Sequence, residues 1–220
     1  MPDVLNGFLT VLVSTAAAAG LGALGFVAGS ETGVVILVAA LIFGVLYGLE
    51  AAILTSYDLG RGKGWLQLLI DLTWSMPNTI FGFLLGNIIY IFIGNPSRAA
   101  SRHTGWIAFM PRGSGSGLGH SVLQTLGTVN LGGAGQHELM HVLQARIFGP
   151  LYLPLFALSY VVTFLLQALW TCTVGAILWA ARVRPTAYFT PPAQSAVGGF
   201  FGWIYFATPF ELWAYASGNP

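Results

Sequence analysis

From residue 4 onward the chain reads as long apolar runs broken by short polar turns. The first run covers residues 5–28 and is rich in alanine and glycine, including Ala16 to Gly20. Ser30, Glu31 and Thr32 interrupt it, and a second run covers residues 33–55 with Glu50 near its far end. About 20 apolar residues in a helix cross a hydrocarbon core, so both runs are long enough to span one. Small residues let helix backbones approach closely there. A polar loop at 58–64 carries Arg61 and Lys63, and a third apolar run at 65–94 contains Asp71 and Pro77. Proline is tolerated at a helix start and its predecessor resists the helical region. The spacing therefore predicts a short membrane-surface or re-entrant helix ending near Ser75, then a span from Asn78.

Between residues 95 and 136 the character changes. Arg98, Arg102, His103 and Arg112 appear, followed by glycine and serine alternating from Gly113 to Gly117. Residues 106–110 and 121–131 interleave Val, Thr and Leu with polar positions and read as strands, a β-hairpin or a pair. A helix is predicted from near Gly135 to Gly149-Pro150, a strong stop. Residues 152–181 suit one tilted span or a hairpin that does not cross completely, closed by Arg182 and Arg184. The tail holds Pro191-Pro192, an aromatic run over 200–210, and Glu211. The expected fold is an all-α polytopic membrane protein of about four membrane segments plus a broken or re-entrant helix. A small β-like extramembrane insertion precedes the helix that begins near 137. Residues 1–94, 95–136 and 137–220 are its N-terminal helices, extramembrane region, and C-terminal helices with tail, in one integrated domain.

Composition agrees. The chain is 55% hydrophobic and 7% charged, with mean hydropathy +0.75, against about 25% charged residues in a soluble domain. The lipid bilayer is its natural solvent. A net charge of +1 without any basic run excludes a nucleic-acid partner. Cys172 is the single cysteine, which excludes an internal disulfide framework and a thiolate zinc site. No Lys or Arg precedes the first run, so an uncleaved first helix fits better than a secretory signal. Arg61 and Lys63 against the acidic turn at Glu31 point to a cytoplasmic N-terminus and second loop. Later basic residues fall on both sides if residues 65–94 cross once, which leaves the side of the chemistry open.

The chemistry lies in His137-Glu138-Leu139-Met140-His141. On a helix, positions i and i+4 share one face, so both imidazoles can hold one metal ion. Glu138 can reach the metal-bound water as general base, and zinc brings the pKa of that water to about 7. A catalytic zinc site needs a third protein ligand and an open position, and Glu211 is the best candidate.

Glu211-Leu212-Trp213-Ala214 resembles the second motif of the gluzincins, where the glutamate completes a His, His, Glu triad. The layout is similar to that of the integral-membrane gluzincins, the prenyl-protein and stress-response membrane proteases. The match comprises His137, Glu138, His141, Glu211 and Ala214. Tyr215 stands where that family has an Asp expected to support a zinc-ligating His. His-Glu-x-x-His-x-x-Gln followed by Gly149-Pro150-Leu151-Tyr152-Leu153-Pro154 also resembles a group of little-characterised bacterial membrane proteins, together with Thr125-Leu126-Gly127 and residues 71–79. These resemblances imply zinc at His137, His141 and Glu211, Glu138 as catalytic residue, and a bacterial inner-membrane location.

Other polar residues have plainer readings. His120 follows a glycine loop and reads as a surface residue, and His103 beside Arg102 as a solvated loop position. An acidic group at membrane depth is costly and is usually functional or paired. Glu50 is either that or an interfacial residue capped by a neighbour. Asp71 either lines the site, supports a ligating histidine, or locks the break at Pro77. Residues 121–131 could offer an edge strand to an extended substrate or simply cover the helix. Trp203, Tyr205, Phe206, Phe210 and Trp213 read as interfacial anchors. The expected function is a membrane-embedded zinc metallopeptidase acting on a membrane-proximal peptide or membrane-protein segment. The alternative is a non-catalytic subunit of a larger membrane complex that keeps a zinc-binding or relic site, since alanine and glycine in the first two spans would suit partner subunits. Transport draws only on Glu50 and Asp71, without the repeat expected of a transporter.

Overall fold

The computed structural model describes residues 1–111, 124–131, 136–181 and 196–217. His120, the 113–117 stretch, Arg112, Arg182, Arg184 and Pro191-Pro192 lie outside the described residues. The chain divides into two compact units, Met1–Pro150 and Leu151–Pro220.

The first unit opens with a helical hairpin. Helix α1 (Asp3–Ala23) runs on through a 3-10 turn (Leu24–Ala28), Gly29 reverses the chain at φ +116°, and α2 (Ser30–Ile53) returns. The buried positions of α1 are Asn6, Thr10, Ser14, Ala18 and Gly22, one every fourth residue, while Val4, Phe8 and Leu12 face outward. Polar and small residues inside with large apolar ones outside invert the pattern of a water-soluble helix. Close approach is built in: a Cβ added at Gly44 of α2 would lie 2.7 Å from Ala18 Cβ and 2.8 Å from Ser14 O.

Helix α3 (Gly62–Leu72) ends just ahead of the predicted break, and Pro77 sits in the first turn of α4 (Met76–Phe81), where its missing N–H costs nothing. A π-helical turn (Gly82–Gly86) leads into α5 (Asn87–Ile93). Then come β1 (Gly94–Pro96), the short α6 (Arg98–Ser101), β2 (Ile107–Pro111), β3 (Gln124–Leu126) and β4 (Val129–Leu131). The sheet order is β1-β2-β4-β3, with β2 and β4 parallel and Ile107 opposite Val129, and the outer pairs antiparallel. The expected hairpin or strand pair is thus enlarged to four strands: β3 and β4 both fall within residues 121–131 and pair with each other, and Gly94-Asn95-Pro96 carries no β-branched residue to announce β1. The sheet lies on a glycine face of the preceding helices: a Cβ at Gly82 would collide with the Leu126 carbonyl, and one at Gly86 would lie 2.8 Å from Val129 Cγ1. Helix α7 (Gln136–Phe148) carries the His-Glu-x-x-His segment and ends at Gly149, φ +55°.

The second unit contains α8 (Tyr152–Trp170), a π-helical turn (Thr171–Gly175), α9 (Ala176–Ala180), α10 (Ala196–Ala207) and α11 (Pro209–Ser217). Tyr152 through Ala180 run as one helix and do not turn back. Thr163 and Gln167 are buried in α8, while Leu158, Val161, Leu165 and Leu169 are exposed, the same inversion as in α1. Phe210 packs against Tyr152 and Phe156, with ring centroids 5.5 and 5.7 Å away, so it is a core residue of this unit. The described residues are mostly helical, and four helical stretches are long and apolar enough to cross a membrane: Asp3–Ala28, Ser30–Ile53, Met76–Ile93 and Gln136–Leu178.

Candidate metal centre

Helix α7 puts His137 and His141 one turn apart on a buried face. Their Nε2 atoms are 3.2 Å from each other. Two ligands bound tetrahedrally at 2.0–2.1 Å from one zinc ion lie roughly 3.3 Å apart, so the spacing fits a shared cation. The Nδ1 of His141 lies 2.9 Å from Gln144 Oε1. In the tautomer with its proton on Nδ1, His141 donates to Gln144 Oε1 and Nε2 keeps its lone pair, the form a metal ligand requires.

Glu138 is buried beside the pair, on the side of the sheet. Thr125 Oγ1 of β3 donates to Glu138 Oε2 (2.5 Å), and Asn130 Nδ2 of β4 donates to Thr125 Oγ1 (3.0 Å). The threonine hydroxyl accepts from Asn130 and directs its one proton at the carboxylate. Edge strand β3 therefore sets the orientation of Glu138.

In the second unit, Glu211 is buried in the first turn of α11, and Tyr160 Oη donates to its Oε1 (3.1 Å). His137 and His141 in the first unit and Glu211 in the second are each buried. Two imidazoles one helical turn apart are donors that zinc accepts. His137 and His141 fit a metal ion.

The remaining acidic candidates stand elsewhere. Asp71 is fully buried and takes a two-point ion pair from Arg146 of α7, Nε to Oδ1 (2.8 Å) and Nη2 to Oδ2 (2.6 Å). Tyr57 Oη also donates to Asp71 Oδ2 (2.7 Å) and meets Tyr47 Oη at 2.5 Å. Burial, and after it the Asp71 charge, push the Tyr57 phenol well above its ordinary pKa, so it stays a donor. Asp71 thus anchors α7 through Arg146, not through a histidine. Glu50 accepts from Asn87 Nδ2 (2.8 Å), which ties α2 to α5. His103 Nδ1 lies 4.0 Å from Asp58 Oδ2 in a half-exposed loop. At position 215 the tyrosine ring packs on Phe206, centroids 5.3 Å apart.

Gln144, Thr125, Tyr160 and Arg146 were not singled out as site residues by sequence. Gln144 could have been found, since i+3 on a helix shares a face with His141. No family model matches the chain, and no curated protein or solved structure matches it either.

Proposed function

We propose that this chain is a membrane-embedded zinc metallopeptidase that hydrolyses a peptide bond in a membrane-proximal segment of a peptide or membrane protein. The observation that carries the reading is the buried pair His137 and His141, with Nε2 atoms 3.2 Å apart and the Glu138 carboxylate on the adjacent helical position. Four apolar helical stretches with small and polar residues turned inward support a polytopic arrangement in a bilayer, the bacterial inner membrane by the resemblance of the His-Glu-x-x-His-x-x-Gln region.

His137 and His141 would hold the ion through Nε2, and Glu211 through its carboxylate. Zinc, when bound, supplies a Lewis acid for the scissile carbonyl and lowers the pKa of water toward about 7. Glu138 takes a proton from the attacking water and hands it to the leaving nitrogen. Thr125 keeps the Glu138 carboxylate aimed during both transfers. The outer edge of β3 takes no partner strand among the described residues. An extended substrate could pair with it through main-chain hydrogen bonds.

The test is metal content and cleavage in detergent-purified protein. Wild type should carry about one zinc per chain, and His137→Ala should lose it. Glu138→Gln should keep zinc and lose cleavage of a peptide library. A chain that takes up no metal when zinc is offered would overturn the reading. Full rescue of a deletion strain by Glu138→Ala would favour the non-catalytic subunit instead.

A further inference from the structure

Both ends of the segment Gly62–Ile93 lie at one end of the α1–α2 hairpin. At its start, Trp65 Nε1 donates to Leu59 O, Leu59 N donates to Asn6 Oδ1, and Asn6 Nδ2 donates to Tyr57 O. Just past its finish, Arg98 donates to Thr55 Oγ1 and to Asp3 Oδ2, and the N–H groups of His103 and Gly105 donate to Thr55 O and Ser56 O. Asp3 and Asn6 open α1, and Thr55 to Leu59 follow α2. The chain enters α3 and leaves α5 at the same end.

Between those ends it travels toward the Gly29 turn and back. Contacts along α2 and along α5–α4 fall in step: Glu50 meets Asn87, Tyr47 and Phe43 meet Phe83, and Ile36 shares a cavity with Met76 and Ile80. Leu21 and Gly22, near the far end of α1, line that cavity too. Helix α3 has 11 residues, a descent of about 16 Å. The 18 residues of Met76–Ile93 give about 27 Å for the return.

Helix α7 runs down beside this segment. Near its start, Glu138 meets Thr125, which pairs across the sheet with Asn130, between Val129 at Gly86 and Leu131 at Gly94. At its end, the apex of the segment covers its carbonyls: Trp74 Nε1 donates to Ile147 O, Ser75 Oγ to Ala145 O, and Asn78 Nδ2 to Gly149 O. A helix leaves its last four carbonyls without internal partners. In a bilayer, such groups and a non-helical apex are tolerated only where protein satisfies them; the apex side chains do so for α7, and the N–H groups of Thr73, Ser75 and Met76 bond within the segment.

We infer that Gly62–Ile93 is a re-entrant hairpin that does not cross the bilayer, and that α7 with its His137–Glu138–His141 face is entered from the N-terminal side. The inference rests on the membrane reading proposed above. It collects Arg61, Lys63, Arg98 and Arg102 on the N-terminal face, opposite Glu31 at the α1–α2 turn. Basic residues near membrane segments mark the cytoplasmic face, so the site takes its substrate from the cytoplasmic side.

Single cysteines test this in a Cys172→Ala background, at Ser30, Lys63, Ala99 and Gln136, all exposed positions. A membrane-impermeant maleimide is applied to right-side-out and to inverted vesicles of the full chain. Lys63→Cys, Ala99→Cys and Gln136→Cys should label in inverted vesicles and lose labelling in right-side-out ones, with Ser30→Cys the reverse. Labelling of Lys63→Cys and Ala99→Cys from opposite faces would make Met76–Ile93 an ordinary crossing and overturn the inference. Gln136→Cys labelling from the Ser30 face would overturn the entry side, and all four reversed would overturn the cytoplasmic assignment. If alkaline carbonate releases the protein and all four positions label in both preparations, the membrane reading itself fails, and the inference with it.

Discussion

Replacing Gln144 by Leu removes the group that fixes the tautomer of His141, and the consequence can be sized. Gln144 is fully buried, and its Oε1 lies 2.9 Å from His141 Nδ1. Leucine fills a similar volume without an acceptor. In the variant the imidazole proton is no longer held on Nδ1, and a proton on Nε2 blocks the atom that faces His137 Nε2 at 3.2 Å. Loss of such an outer partner weakens metal binding by about 10- to 100-fold, or about 1.4–2.7 kcal/mol. Gln144→Glu keeps an acceptor at the same reach and adds negative charge, so it should bind zinc at least as tightly as wild type. Competition with a chromophoric chelator in detergent measures both affinities, and the visible spectrum of the cobalt-substituted protein reports the ligand field. Unchanged thermal unfolding of the metal-free variants separates a ligand effect from misfolding. If Gln144→Leu binds zinc like wild type while His141→Ala loses it, the tautomer argument is refuted.

Three further outcomes follow from the packing and from the proposed zinc site. Asp71→Asn leaves the Arg146 guanidinium buried without its counter-charge, a loss of about 3–5 kcal/mol visible as a large drop in thermal stability; replacing both residues by apolar ones should recover most of it, and a stable Asp71→Asn protein would contradict the anchoring role. Gly44→Ala places a Cβ 2.7 Å from Ala18 Cβ and should destabilise by about 1–3 kcal/mol. Gly20→Ala, with nothing within 4 Å of the new Cβ, should be neutral or slightly stabilising in the same unfolding assay, and equal effects at the two glycines would remove the close-packing argument. Tyr160→Phe takes a donor from Glu211 Oε1 and should lower zinc affinity within the 10- to 100-fold range of outer partners, measured by the same competition; no change would leave Tyr160 a packing residue.

The features legible in the sequence are those carried by local signals. Apolar length and the polar turn at Ser30 gave α1 and α2 within a few residues, Pro77 gave the break between α3 and α4, and Gly149-Pro150 gave the end of α7. The i, i+4 spacing of His137 and His141 needed only a helix, and α7 is one. Partners far apart in the chain were not legible. Asp71 and Arg146 are separated by 75 residues, and neither the composition nor the period of either segment refers to the other. Sequence reasoning placed Asp71 at the site or at the proline break; Arg146, its partner, reads in sequence as one more helical cation. The parallel pairing of β2 with β4 was hidden for the same reason, since strand pattern gives faces and not neighbours.

Position 215 shows how a local reading can mislead by looking in too distant a place. Tyr215, where the resembling proteases have an Asp, implied a histidine without its supporting carboxylate. The chain instead has Gln144 one turn beyond His141, within the same helix and fully buried, with its carbonyl on Nδ1. An amide holds the tautomer as a carboxylate does but adds no charge. In the proposed zinc site, Gln144 adds no negative charge at His141 Nδ1, so a bound cation would keep more of its charge than beside a carboxylate there. That leaves more Lewis acidity for a carbonyl or a water and less affinity for the ion, which is why Gln144→Glu, and not only Gln144→Leu, is the informative substitution.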